Sequence, residues 1–386
     1  MPRNTWLLLL LGLSTACEVL SSGSDGGDDD DGGTGDGGGD GGGGSAMLER
    51  SNYQDSSDRD GYVEIPIEVG SDATAFMVTV ESDAYPVLEA LYGPDGDRVL
   101  YWEDWYYSEE SLTSAVFWGG KANALNWPVR EEDGPLAPGT WTAEFSTIDN
   151  QGYYSGNQDV EITTMTKADG AFGQSRATVR IVWADGVDDD EAVVSAMESA
   201  VERWREVWAT YGIELVESYH QSSLDPDMPF VTNGSTDVEA NAEQFDGQEL
   251  ILIVGESFEG DGTTYGIAGG IPGSIEPNRF TYVTLSWLAH AGGNGTFNDD
   301  EIRLMGETAA HECGHFMGLF HPVEWSYDYW DALDDTDQCS SWQTCENNLG
   351  ANLMFPYPIC DFTSCEPQGD LTADQEAVAQ RYIGAL

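Results

Sequence analysis

The chain has 386 residues, and at roughly 150 residues per domain this length predicts two or three domains. Its 14 basic and 70 acidic residues give a net charge of −56. Phosphate groups repel such a polyanion, which excludes nucleic acid and anionic lipid surfaces as binding partners. Hydrophobic residues make up 40% of the chain, enough for a sizeable core.

Residues 1–16 have the pattern of a signal peptide. Arg3 precedes an apolar run over residues 6–13, which is too short to span a bilayer, and small residues stand directly before Cys17. This ending resembles a bacterial lipobox, so we expect a lipid on Cys17; ordinary cleavage nearby is the alternative. The protein is therefore expected in the outer membrane or on the cell surface as a lipoprotein, or otherwise outside the cell.

Residues 17–45 are predicted to form a tether after the lipid-anchor cysteine. The stretch from 21 to 45 holds 13 glycines and 7 aspartates, and the remainder are serine or threonine. Nothing in it can form a core, and its charges repel one another. We expect a flexible linker that holds the folded part away from the membrane.

Residues 46–170 show only strand patterns, separated by turn signals such as Pro138-Gly139. They predict an all-β sandwich domain, and the segment LAPGTWTAEF (136–145) resembles the jelly-roll accessory domains of secreted bacterial peptidases. An aromatic group in this region is either a sugar- or peptide-binding patch or ordinary packing. Its members are Trp102, Trp105, Tyr106 and Tyr107.

Residues 175–386 predict an α/β domain with a mixed sheet. A strand over 177–183 precedes a helix capped by residues 188–190, and strands over 213–216, 249–255 and 280–286 precede a second helix over 300–318. The first helix has one apolar face. That face is formed by Val194, Met197, Val201, Trp204 and Trp208.

The second helix ends in HECGHFMGLFH, residues 311–321. His311 and His315 are four residues apart and project from one helical face. Gly318 favours a helix end, after which His321 can return to the same point. Three imidazoles leave the fourth position of tetrahedral zinc open, as in catalytic sites, and Glu312 is placed to take a proton from the zinc-activated water.

The pattern HExxHxxGxxH is the signature of metzincin metallopeptidases, which this chain resembles from about residue 176 to its end. The resemblance implies a metzincin-like fold with zinc on His311, His315 and His321, and peptide-bond hydrolysis with Glu312 as general base. It also implies a Met-turn, for which Met354 in NLMFP is the match. Phe355 and Tyr357 are then candidates for the wall of the substrate pocket.

Within that clan, LMFP is similar to matrixins. YGIAGGIPGS (265–274), ALDDTDQC (332–339) and the cysteine pairs are more similar to pappalysin-type metzincins, which we favour. Several metzincins have an oxyanion-stabilising tyrosine where this chain has Pro356, so that role is not transferred. By position, the strand over 280–286 is expected to be the edge strand of the cleft, where an extended peptide pairs; an ordinary sheet strand is the alternative.

The cysteines beyond Cys17 fit an exported protein. The close pairs Cys339/Cys345 and Cys360/Cys365 predict two small-loop disulfides, although spacing alone does not fix connectivity. Cys313 is left alone on the helix face opposite the metal, and we interpret it as a core thiol rather than a redox group.

An acidic loop follows His321. Asp331, Asp334 and Asp335 offer hard oxygen ligands, and the pappalysin-type resemblance implies a calcium site there; a solvated acidic loop is the alternative. His220 and His290 have no partner at ligand spacing, so we expect structural or surface roles for both.

These features predict an exported zinc endopeptidase that acts on proteins or peptides as a monomer. It would bind no nucleic acid and would meet a membrane only through its N-terminal lipid. The alternative is a surface binding protein, non-catalytic or of very narrow specificity, whose β-sandwich recognises glycan or protein. The presence of Glu312 favours the enzyme.

Overall fold

The structure is a computed structural model. The predicted signal peptide, Cys17 and the tether lie outside the residues that it describes. No helix among the described residues is long and apolar enough to cross a membrane. The described residues are 47–117, 119–168, 175–228, 249–258, 262–275, 282–292, 295–360 and 364–386.

The N-terminal part of the described chain, residues 47–168, is mainly β-strand, as the sequence predicts. In chain order its elements are β1 (Met47–Ser56), β2 (Tyr62–Val69), β3 (Ala73–Ser82), β4 (Tyr85–Tyr92), β5 (Arg98–Tyr101), α1 (Trp102–Tyr106), β6 (Glu110–Ser111), β7 (Ala122–Trp127), β8 (Gly139–Ile148) and β9 (Asp159–Ala168). Two antiparallel sheets result, with strand orders β1-β9-β3-β7 and β2-β8-β4-β5.

The two sheets pack face to face. Side chains along β2 alternate between buried and exposed, with Ile65 and Ile67 in the core. Phe76 on β3 meets Trp141 on β8 with ring centroids 5.6 Å apart, which joins one sheet to the other. We call residues 47–168 the β-sandwich region.

The aromatic group between β5 and β6 forms a packed cluster. Trp102 meets Tyr106 at 5.4 Å and Tyr107 at 5.9 Å between ring centroids. Trp102 and Trp105 also pack against the main core. Packing therefore explains both tryptophans, and Tyr107, which is 70% exposed, is the part of the group that faces solvent.

The C-terminal part, residues 175–386, is α/β. Its elements are β10 (Ser175–Trp183), α2 (Glu191–Thr210), β11 (Ile213–Gln221), β12 (Asp227–Met228), β13 (Leu250–Gly255), β14 (Ser257–Phe258), β15 (Gly266–Ala268), β16 (Val283–Ser286), α3 (Trp287–His290), α4 (Asp299–Phe316), β17 (Trp330–Asp331), α5 (Trp342–Leu349) and α6 (Ala373–Arg381). Its main sheet has the order β11-β10-β13-β16-β15 and is parallel except for β15, so the predicted mixed sheet is present.

The buried strands and helices of this part follow from the sequence pattern. The six residues of β13 are all buried, as is typical of a central parallel strand. Asp190 caps α2, whose apolar face contacts α4, although Val193 and not the predicted Val194 is the fully buried member. Asn298 and Glu301 form a capping box that begins α4 one residue before the predicted start.

The prediction that residues 280–286 form the edge strand of the cleft is wrong. The segment 280–286 forms β16 from Val283 onward, and β16 lies between β13 and β15, inside the sheet. The edge is β15, a short antiparallel strand at Gly266–Ala268. Its glycine-rich sequence lacks the apolar alternation by which a strand is recognised, whereas in β16 Val283 and Leu285 alternate with polar residues and all four side chains are buried.

The β-sandwich region and the α/β part share one hydrophobic core. The C-terminal residues lie between them: the ammonium group of Lys167 donates to the carbonyl oxygens of Gln380, at 3.0 Å, and Ala385. The side chain of Asn126 accepts from the backbone N–H of Ile383 at 3.0 Å and donates to the carbonyl oxygen of Arg381 at 3.1 Å. These polar contacts fix the position of one part relative to the other.

Replacing Gly306 by alanine tests the contact between α2 and α4. A Cβ atom there would lie 2.3 Å from the carbonyl oxygen of Ala200, so we expect Gly306→Ala to destabilise the protein by about 1–3 kcal/mol. Helix propensity alone gives the opposite sign, because alanine stabilises helices by about 0.5–1 kcal/mol over glycine. Chemical denaturation measures the difference, with Ser199→Ala on the exposed face of α2 as control; a stabilised variant would contradict the contact.

Candidate metal centre and cleft

The histidine motif occupies the end of α4 and the turn after it. His311 and His315 lie one helical turn apart, and their ring centroids are 4.6 Å from each other. The helix ends at Phe316, and Gly318 takes a φ of 107°, which only glycine adopts readily. The chain then returns and brings the ring of His321 to 4.6 Å from that of His315.

Each of the three imidazoles places its Nδ1 atom against an acceptor oxygen. The pairs are His311 with the carbonyl of Leu353 (2.6 Å), His315 with the carbonyl of Leu319 (2.6 Å) and His321 with Oε2 of Glu324 (3.0 Å). A carbonyl oxygen accepts and never donates, so Nδ1 carries the proton in His311 and His315. In a neutral ring the lone pair then lies on Nε2.

The three Nε2 atoms converge on one point. Nε2 of His321 lies 3.0 Å from that of His315 and 3.3 Å from that of His311. Ring nitrogens this close, with lone pairs on those of His311 and His315, favour a cation between them. Tetrahedral zinc, with Zn–N distances of about 2.0–2.1 Å, requires its nitrogen ligands to be about 3.3 Å apart. The three imidazole nitrogens and their spacing therefore fit zinc. Among the described residues, His311, His315 and His321 form the group of side chains close enough together to hold a metal ion.

The surroundings keep the rings of His311 and His315 neutral. Burial, with the neighbouring His321, lowers the pKa of His311 to about 3 and lowers that of His315 well below its usual range. Burial also lowers the pKa of His321, but the carboxylate of Glu324 outweighs this effect, so the net pKa of His321 is raised. Glu324 is therefore positioned to orient His321 and to strengthen it as a ligand.

Glu312 lies between the three converging histidines and the edge strand β15. A Cβ at Gly266 would be 2.6 Å from Cγ of Glu312, so glycine at this position makes room for the acid. Burial raises the pKa of Glu312 to about 7, although His321 and a hydrogen bond from the backbone N–H of Ala268 lower it. A carboxyl group with a pKa near neutrality is suited both to accept and to release a proton.

The predicted Met-turn lies directly beneath α4. Met354 is fully buried, and its sulfur would lie 2.8 Å from a Cβ at Gly314, so the glycine lets the turn approach the helix. The side chain of Asn352 accepts from the backbone N–H of Met354 at 2.9 Å and closes the turn. The same turn supplies the Leu353 carbonyl that orients His311.

A cleft of about 620 Å³ opens at the histidines. Phe355 and Tyr357, the predicted wall residues, both line it, but Phe355 is only 1% exposed and packs under Tyr357 at 4.7 Å between ring centroids. Trp325 is 63% exposed and its ring lies 4.5 Å from that of Tyr357. The aromatic surface offered to solvent is therefore that of Trp325 and Tyr357.

The acidic loop does not form a metal site like that of the histidines. Asp331 is buried and accepts from the hydroxyl of Thr336 at 2.5 Å, whereas Asp334 and Asp335 are exposed. Asp335 accepts from the backbone N–H of Asp374 at the start of α6. Among the described residues no three acidic side chains of this loop converge on one point, so the expectation of calcium lacks support.

The remaining cysteines and histidines lie outside the metal centre. Disulfides join Cys339 to Cys345 and Cys360 to Cys365, and Cys313 is a buried free thiol whose pKa is raised by burial. A buried thiol of raised pKa is inert. His290 is buried and donates from Nδ1 to the carbonyl of Ser286 at 2.6 Å, which is a structural role. Neither His290 nor His220 belongs to the converging group.

The sequence did not reveal four features of this site. Glu324 could have been found as the acid three residues after the last histidine of the motif, and Trp325 follows it directly. The edge strand β15 carries no periodic signal. The contribution of the β-sandwich region to the cleft wall depends on contacts between residues that are far apart in the sequence.

Comparisons with solved structures find distant likenesses. Archaemetzincin from Methanopyrus kandleri is 14% identical, with a TM-score of 0.33, over 54% of this chain and 96% of its own. Metalloproteinase-II from Bacteroides fragilis is 13% identical, with a TM-score of 0.28, over 47% of this chain and 54% of its own. Myroilysin is 13% identical, with a TM-score of 0.25, over 53% of this chain and 92% of its own. No family model and no curated protein matches the chain. The side chains of the site, and not these likenesses, carry the functional conclusion.

Replacing Glu324 by glutamine tests its role behind His321. The variant keeps the shape of the side chain but loses the charge that orients and strengthens the ligand, so we expect about 10- to 100-fold weaker zinc binding. Competition with a chromophoric chelator measures the affinity. Asp328→Asn, an exposed change in the same loop, is the control. Equal zinc affinity in Glu324→Gln and the parent would show that the contact is unimportant for the metal.

The buried carboxyl group of Asp331 makes a prediction about pH. Burial raises its pKa to about 7, and its Oδ2 atom has no hydrogen-bond partner among the described residues. The folded state therefore favours the protonated carboxyl group. The contribution of this group to the stability of the fold is complete below pH 4 and is lost as pH rises through 7.

We compare the free energy of unfolding of Asp331→Asn with that of the parent at pH 5 and at pH 8. We expect the difference to shift in favour of the variant as the pH rises from 5 to 8. One pKa unit corresponds to about 1.4 kcal/mol, so the relative gain should exceed about 1 kcal/mol. Denaturant unfolding at both pH values, with a chelator present, measures it, and Asp334→Asn is the exposed control. The same pH dependence in parent and variant would refute a raised pKa.

Proposed function

We propose that the chain is a zinc-dependent endopeptidase of the metzincin type, with Glu312 as the general base. The observation that carries the proposal is the convergence of three Nε2 atoms, those of His311 and His315 unprotonated, beside the carboxyl group of Glu312 at a strand edge. Three protein ligands leave one tetrahedral position open, which is typical of catalytic and not of structural zinc. Zinc, when bound, polarises a peptide carbonyl and lowers the pKa of water.

The edge strand β15 is suited to hold an extended peptide. The carbonyl of Tyr265 accepts from Ser286 N–H at 2.9 Å and the N–H of Gly269 donates to Tyr282 at 2.9 Å, so these groups face into the sheet. In an antiparallel ladder the groups alternate, and the backbone of Gly266 and Ala268 faces the cleft. A peptide that pairs there lies beside Glu312.

Glu312 would move the proton during hydrolysis. Its carboxylate takes a proton from the attacking water and passes it to the nitrogen of the departing amine. The N–H of Ala268 holds the carboxylate in place, and burial keeps its pKa near 7, so both transfers are feasible at neutral pH. The carbonyl of Leu353, in the turn that Asn352 and Met354 close, keeps His311 oriented from below.

The aromatic surface would select the substrate. Trp325 and Tyr357 lie side by side at the cleft, and Tyr357 is fixed by a hydrogen bond of 2.8 Å to the hydroxyl of Tyr327. Flat apolar rings favour a large apolar side chain next to the scissile bond. Proteins and peptides are therefore the proposed substrates.

The proposed setting is the exterior of the cell. The signal pattern, Cys17 and the tether support export as a lipoprotein, and the two disulfides fit an oxidising compartment. The segment YGIAGGIPGS, one of the three features on which the pappalysin-type resemblance depends, contains β15 and lines the cleft. We propose a monomer of that type.

Cleavage of a denatured-protein mixture by residues 46–386 tests the function. We expect the zinc-loaded parent to cut, and Glu312→Gln to cut about 10²- to 10⁴-fold more slowly while it retains one zinc per chain, since the acid is the base and not a ligand. Glu198→Gln, an exposed change on α2, should match the parent.

The outcomes separate the two candidate classes of protein. Cutting that disappears in Glu312→Gln supports the enzyme, and the cut sites report the side-chain preference. A parent that binds zinc at one per chain but cuts nothing would overturn the proposal in favour of a binding protein. Equal cutting by parent and Glu312→Gln would refute the role of Glu312.

A further inference from the structure

We propose that the β-sandwich region is part of the substrate site and binds the substrate residues on the N-terminal side of the scissile bond. This inference rests on the proposed peptidase function. It assigns to the accessory region a direct contact with substrate, in place of a role as a spacer or as a separate glycan-binding module.

The first observation is the composition of the cleft wall. Several residues of the β-sandwich region line the same cleft as the histidines and Glu312. They come from the turn before β7 and from the start of that strand. These residues are Ser114, Gly119, Gly120, Ala122 and Asn123.

The second observation is that this wall is joined to the edge-strand segment. Ser114 N–H donates to the carbonyl of Ile271 at 2.7 Å, and Ile271 N–H donates to the hydroxyl of Ser114 at 2.9 Å. Ile271 follows β15 in the chain by three residues. The backbone that would pair with a peptide at Glu312 therefore leads directly to the β-sandwich region.

The third observation is that the wall is held rigidly. The amide of Asn123 donates to the carbonyls of Pro86, Ala115 and Phe117 at 3.0–3.1 Å, which fixes the turn before β7. Strand β6 of the same region pairs with β17, the strand that follows the metal ligands. A wall fixed at both ends is preorganised, so little ordering entropy is lost when a ligand binds to it.

The direction of the strands decides which half of the substrate reaches this wall. Antiparallel pairing is the more stable ladder per residue, and a peptide antiparallel to β15 has its N-terminal side at the later residues of that segment. Glu312 marks the scissile bond at Gly266 and Ala268, and Ile271 lies beyond them next to Ser114. The wall therefore meets substrate residues about three or more positions before the cut.

The chemistry of the wall indicates what it accepts. Its described residues are small and carry no ionisable side chain, and Gly269 and Gly270 line the cleft on the edge-strand side. Small uncharged residues allow a backbone to approach closely and leave space for side chains of the ligand. We infer an extended, uncharged peptide segment as the occupant, recognised by its length and not by its charge.

Peptides of graded length test the inference. The series keeps one scissile bond and one C-terminal half, and varies the number of uncharged residues before the bond from one to five. For the parent we expect kcat/KM to rise by about tenfold or more once three or four residues precede the bond, because only then does the peptide reach the wall.

A change on the wall should abolish that gain. In Ala122→Trp the indole would fill the space beside Gly120, so we expect the tenfold ratio of kcat/KM between the long and the shortest peptides to disappear. Ala122→Leu, a smaller change, should show part of the same effect and serves if the tryptophan variant does not fold.

The matched control is Ala73→Trp. Ala122 pairs with Glu81 near the end of β3, whereas Ala73 is the first residue of that strand. At 3.3 Å per residue, Ala73 lies about 26 Å from Glu81 along the strand. This variant should keep the full dependence on length. Zinc content and thermal unfolding of each variant report whether the metal centre and the fold are retained.

Each outcome has a defined meaning. A loss confined to long peptides supports the proposal. An equal loss at all lengths, an unchanged length dependence, or an effect that follows residues after the bond would overturn it and leave the peptidase intact. If the parent cleaves no peptide at all, the proposed function fails and this inference fails with it.

Discussion

The site depends on one constraint, the convergence of three imidazole Nε2 atoms, with that of His321 3.0 Å from His315 and 3.3 Å from His311. Hydrogen bonds at Nδ1 fix the tautomers of His311 and His315, and burial keeps these two rings neutral. The converging ring nitrogens repel one another, and a divalent cation bound between them would stabilise the folded protein.

The packing around that centre consists of close approaches that only small residues permit. Gly314 admits the sulfur of Met354 from below, Gly266 admits Glu312 from the side, and Gly306 admits the backbone of α2 behind the helix. At each of these positions glycine has no side chain, so another element can lie close against helix α4. The helix that carries the ligands is thereby held on several sides, which limits how far His311 and His315 can shift.

Buried polar contacts join the two halves of the molecule. One of the two lysines of this strongly acidic chain, Lys167, is buried and donates to the carbonyls of Gln380, in the last turn of α6, and of Ala385. Asn126 contacts the neighbouring residues Arg381 and Ile383. Ser114 connects the β-sandwich region to the segment after β15. The wall opposite the edge strand is therefore a fixed part of the cleft, which is the basis for assigning it a share of the substrate.

The sequence by itself determined the features that depend on residues close together in the chain. Residues four apart on a helix share a face, so His311 and His315 were predictable, and Gly318 made the return of His321 predictable as well. The β-sandwich strands and the mixed sheet followed from periodicity. Tertiary structure alone decided that β15 is the edge strand, that Glu324 orients His321 and that Ser114 meets Ile271, 157 residues away. These contacts depend on pairing between distant segments, which leaves no periodic trace in a single chain because each partner is chosen by the fold and not by its neighbours in sequence.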